Sequence, residues 1–218
     1  MDEIKSLLNR PKYYNNIDGV GELGMGFMML GFGLLMWLQA HAPKGSAWHG
    51  MWAFAIYMTV LFSILHYGAK AIKTRYTYPR TGFVEYRKHD RIWTGVAAFV
   101  LSVVASVALF AGRRRHLDLS ALGSLFGVVL AAGYAYRIAR EVRWKLVVAG
   151  AIALGSLATA ILPANLLAAV AGEIGAAHPV RTKLYGTYLL SILLIGTMFT
   201  ISGGISFWLY LRQTREER

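Results

Sequence analysis

Six apolar stretches, each close to the length a helix needs to cross a bilayer, leave this chain little choice of fold. They cover residues 23–40, 48–68, 93–112, 119–139, 146–170 and 185–211. A spanning helix takes about 20 mostly apolar residues at 1.5 Å per residue. In lipid every backbone amide must find its partner inside the protein, and a helix does this within one segment. No stretch between the six is long enough to bury a soluble core of its own. The expectation is therefore an all-α, polytopic integral membrane protein, with residues 1–218 as a single transmembrane domain of six helices.

Charge supplies the orientation. The chain carries 23 Lys and Arg against 11 Asp and Glu. In a soluble protein such an excess points to nucleic acid; in a membrane protein, basic residues hold loops on the cytoplasmic side. With the N-terminus inside, 17 of the 23 fall on the cytoplasmic side, among them seven in residues 69–92. Both termini are then cytoplasmic, as in a bacterial-type inner (plasma) membrane, and no nucleic acid is expected. One feature runs against the pattern: Arg113, Arg114 and Arg115 sit in the external turn. Tryptophans 37, 48, 52, 93, 144 and 208 lie near span ends, where interfaces collect them. Ala40-His41-Ala42 resembles a leader-cleavage site, but a long polar lead with Asp2 and Glu3 favours an uncleaved first helix.

Small residues mark the expected helix contacts, because lipid supplies little hydrophobic drive between helices. Gly19, Gly26 and Gly33 recur every seven residues along the first helix, and Gly24 and Gly31 form a second stripe. Gly123 with Gly127, Ala151 with Gly155, and Gly203 with Gly204 extend the pattern. Packing explains these spacings, although transporter hinges would use the same residues. Pro163 removes a backbone donor and should kink the fifth span.

Residues 69–92 form the richest loop. Two β-prone runs, at residues 75–78 and 83–86, flank Pro79, Arg80, Thr81 and Gly82, which predicts a small cytoplasmic hairpin. Its Arg75, Tyr78, Arg80, Tyr86, Arg87 and Lys88 suit three roles: capping the bundle, docking a partner subunit, or contacting anionic lipid head groups.

Few polar residues reach the spans. Glu22 lies between Gly19 and Gly26 at helical spacing and should point into the bundle, with Asp18 one turn before it. His66 and Arg137 close the second and fourth spans at a similar depth, so Asp18, Glu22, His66 and Arg137 form a candidate polar cluster. Such a cluster serves either as a structural ion pair or as a proton or ion relay. Arg137, Arg140 and Arg143 have a voltage-sensor spacing but run into the cytoplasmic turn, where they anchor.

The histidines show no metal-ligand spacing, cysteine is absent, and no nucleophile, phosphate-loop or dinucleotide motif occurs. No metal, haem or other cofactor is expected. The leading functional expectation is a non-enzymatic accessory or scaffold subunit of a larger membrane complex, with membrane lipids and other membrane-protein subunits as partners. A small-solute, ion or lipid transporter using Glu22 is the first alternative, and an intramembrane lipid-modifying enzyme the second.

Overall fold

The computed structural model describes residues 18–43, 45–49, 51–81, 120–138, 143–176 and 179–216. These belong to one compact unit drawn from residues 1–82 and 120–218. The expected span at 93–112 and the loop residues Tyr86, Arg87 and Lys88 lie outside the described residues.

Helix α1 runs from Val20 to His41. It starts where Gly19 takes a left-handed φ of 68° and the Asp18 carboxylate accepts the Val20 N–H at 3.1 Å. That bond satisfies one of the free amides at the helix start. It stops at Ala42, which is extended (ψ 143°) because Pro43 follows and disfavours a helical predecessor. Helix α2 spans Met51–Ile72 and passes into a π-helical turn, Lys73–Thr77, and a short helix α3, Tyr78–Thr81.

This continuation corrects the expected hairpin: residues 75–78 are helical, not a strand, and residues 79–81 continue the helix where a turn was expected. Proline has no N–H and its ring crowds the carbonyl four residues back. Here the Tyr78 N–H reaches the Lys73 carbonyl five residues back, which widens the turn ahead of Pro79, and Pro79 falls in the first turn of α3. A π-turn thus absorbs the proline. Gly82 and the second run, 83–86, lie outside the described residues.

Helix α4 covers Ser120–Ile138, α5 Lys145–Ala160, α6 Ala164–Ala176 and α7 Pro179–Glu216. The expected continuous span at 146–170 is instead two helices, α5 and α6, bent by 101° at the residues before Ala164. Pro163 is the cause in the sequence, and the break is far sharper than a kink. Among the described residues the chain is all-helical, with three helices long and apolar enough to cross a membrane: Val20–His41, Trp52–Thr77 and Lys183–Gln213. The broken pair makes a fourth if counted as one span, while the apolar part of α4, Ser124–Tyr136, is shorter.

Helix α7 is the central post. The glycine stripe of α1 seats on it, as the seven-residue spacing foretold. A Cβ at Gly26 would lie 2.6 Å from the Thr200 nitrogen, and one at Gly203 2.5 Å from the Leu23 nitrogen. Gly196 likewise faces Leu30 at 2.9 Å, so two glycine-notched helices interlock backbone to backbone. Around this seam, Ala131, Ile152, Ile195 and Phe199 form one buried cluster, and Met36, Leu189 and Ile192 another. The second stripe behaves differently: Gly31 faces Leu61 of α2, whereas Gly24 faces open space.

Candidate polar site at one end of the bundle

Two carboxylates at the start of α1 bind two different cations. Glu22, in the first turn, forms a salt bridge through Oε1 to the Lys145 ammonium. Its Oε2 accepts the Ser202 hydroxyl at 2.7 Å, and Ser202 is hydrogen-bonded to the Tyr134 hydroxyl at 3.1 Å. One side chain each from α1, α5, α7 and α4 thereby converges on a single network. Lys145 is only 2% exposed, and Ser202 is fully buried.

The pairing has a clear electrostatic cause. Lys145 is the first residue of α5, where the helix dipole is positive and a cation is disfavoured. Glu22 answers both that ammonium and the amide-rich start of its own helix. Removing either partner would leave a charge in a low-dielectric interior.

Asp18, fully buried, faces the other way. Its Oδ2 lies 3.5 Å from the Lys73 Nζ and accepts the Thr77 hydroxyl at 3.3 Å. Both partners belong to the π-helical turn, and the Tyr210 hydroxyl of α7 donates to the Thr77 carbonyl at 3.3 Å. Burial pushes the Asp18 carboxyl above the usual range, while the charge of Lys73 and the bonds from Val20, Lys73 and Thr77 pull it back in part.

Among the described side chains, the residues proposed from sequence as one cluster do not share one network. Asp18 and Glu22 are in place, on separate ion pairs. His66 is exposed, stacked on Phe62 at 6.1 Å and edge-on to Tyr67 at 5.5 Å. Arg137 lies in α4, with its side chain outside the described set. Of the loop candidates, Arg75 is exposed in the π-turn, Tyr78 is half-buried at the start of α3, and Arg80 is in α3 with its side chain outside the described set. Sequence reading missed Lys145 and Lys73. Lys145 entered only as one of the basic residues counted on the cytoplasmic side, although a lysine at a helix start beside an apolar run needs a carboxylate partner, and that signal was present.

Chemically, the Glu22 network is an ammonium, a carboxylate, an alcohol and a phenol in sequence. It can hold four helices together or pass a proton between adjacent members. Among the described residues no group of three or more His, Asp or Glu is placed to hold a metal ion. Comparison with family models, curated proteins and solved structures gives no match.

Proposed function

We propose that this chain is a non-enzymatic membrane subunit that docks on another membrane protein through α2. What supports this reading is the contrast between a filled interior and the exposed apolar outer face of α2. Leu35, Ile152, Leu167, Leu189, Ile192 and Ile195 are fully buried. None of the apolar window of α2 is buried, and Trp52 (82% exposed), Ile56, Val60 and Ile64 form an uncovered i, i+4 row along it. Such a row is the usual form of a helix that packs into a partner's groove. In this proposal the chain has six spans, counting 93–112, α4 and the broken pair α5–α6, and both termini are cytoplasmic.

The test is photo-crosslinking from Ile56 and Ile64 in native membranes, followed by solubilisation in mild detergent. A crosslink to a second polypeptide supports docking. A crosslink only to residues 93–112 of the same chain, or only to lipid, overturns it.

The Glu22–Lys145 network favours a second reading, a transporter that uses this pair as a proton or ion relay. Glu22→Gln and Lys145→Met would then abolish flux in proteoliposomes, while an accessory subunit would show no flux to lose.

A further inference from the structure

We propose that the break between α5 and α6 holds a small monovalent metal cation, bound by neutral oxygens of α5 and α7. The site lies at the far end of α5 from Lys145, apart from both the α2 face and the Glu22 network. Thr59, Ser63, Thr74, Thr197 and Thr200 each turn their hydroxyl back onto the carbonyl four residues earlier, the usual habit in a helix. Thr187 does not. Its hydroxyl is fully buried and has no hydrogen-bond partner among the described residues. The Ser156 and Ser206 hydroxyls are also unpartnered, but those side chains seat in the notches left by Gly127 and Gly19.

Contacts on either side fix where Thr187 stands. Ser191, one turn further along the same face of α7, is fully buried and lies 3.1 Å from the Thr159 hydroxyl in the last turn of α5. Gly186, the residue before Thr187, meets the first turn of α6: a Cβ there would lie 2.6 Å from the Leu167 carbonyl oxygen. Thr187 therefore stands on α7 between the end of α5 and the start of α6, where the chain bends by 101°.

The protons decide what the site can hold. Thr159 donates its hydroxyl to the Ser156 carbonyl at 2.7 Å, so in the contact with Ser191 it is Ser191 that donates. Both protons are then committed, and what Thr159 and Ser191 have left to offer is lone pairs. The Ala158 and Thr159 carbonyls accept long bonds, from Ile161 at 3.2 Å and Leu162 at 3.5 Å, and lie at the negative end of the α5 dipole. Buried hydroxyl and carbonyl oxygens can replace the hydration shell of a cation, and a broken span is where such oxygens collect. Calcium and magnesium take carboxylates, and among the described residues no group of three or more His, Asp or Glu is placed to hold a metal ion. A single positive charge suits the site. Histidine and cysteine spacing does not report a site made only of oxygens.

The experiment follows the melting temperature of the full chain in detergent micelles titrated with sodium, potassium or calcium chloride, with choline chloride holding ionic strength constant. Wild-type protein should melt higher in sodium or potassium than in choline alone. T187V keeps the side-chain shape without the hydroxyl, and the midpoint of its titration should move at least about tenfold higher. In choline alone T187V should melt no lower than wild type, since a methyl replaces an unpaired hydroxyl. S191A should also lose the response, which keeps the test open if T187V does not fold. T187S retains the hydroxyl and should respond as wild type does. So should T197V, which removes an exposed hydroxyl of the same helix. The proposal is overturned if neither sodium nor potassium raises the melting temperature, which would leave the hydroxyls to water. It is also overturned if T187V and S191A keep the wild-type response, if T197V loses as much, or if calcium acts as strongly as the monovalent ions.

Discussion

Helices α2 and α7 are both apolar and long enough to cross a membrane, yet half of the α7 window is buried and none of the α2 window. Hydrophobicity does not separate them, because lipid solvates either one equally well. Small residues do. α7 offers Gly196 and Gly203 to the glycines of α1, so backbones meet; α2 meets α1 through Leu61 at Gly31 and an edge-on Phe32–Phe54 contact at 6.0 Å. The carboxylates follow the same division. Glu22 is tied into the α7 side through Ser202 and Lys145, and Asp18 is tied to the α2 side through Lys73 and Thr77. In a bilayer, close approach and polar contacts decide which helix is central.

The sharpest way to break this contrast is to remove the cation on the central side. Lys145→Met leaves the Glu22 carboxylate without its counter-charge, and losing one partner of a buried pair costs about 3–5 kcal/mol. Denaturation in mixed micelles should show this loss, and Glu22→Gln combined with Lys145→Met should restore part of it. Equal loss in single and double variants would mean that the pair is not coupled.

Glycine substitution is the next lever. Gly203→Ala drives a Cβ against the Leu23 backbone nitrogen and should cost about 1–3 kcal/mol. Gly24→Ala meets nothing within 4 Å and should be neutral or stabilising by up to about 1 kcal/mol, since alanine is the better helix former. If the two variants melt alike, the seam is not what centres α7.

The smallest effect belongs to the α2 side and depends on pH. The Asp18 carboxyl is raised in the folded protein, so the stability it contributes is complete below its unfolded value and is lost as pH rises through its folded value. Asp18→Asn cannot ionise. The difference in melting temperature, wild type minus variant, should therefore fall as pH climbs out of the acid range. A difference that grows with pH would mean that Lys73 outweighs the burial.

Much of this was legible along the chain. Helical class, membrane-length stretches, the packing role of Gly19, Gly26 and Gly33, a bend at Pro163 though not its size, and the inward aim of Glu22 follow from local composition and from a repeat of 3.6 residues per turn. Those are properties of one helix at a time. Which cation meets Glu22 is not such a property: His66 and Lys145 are both basic residues near one end of the bundle, and only the offset of α5 against α1 brings Lys145 in, while the rotation of α2 leaves His66 exposed. The hairpin failed for a related reason. Pro79 and Gly82 carry a strong turn signal, but the incoming helix and the Asp18 contacts to Lys73 and Thr77 favour a widened helical turn that no short-range rule reports. Sequence determined the elements and the faces they present; tertiary structure chose among chemically equal partners, because that choice depends on distances between helices that no single helix encodes.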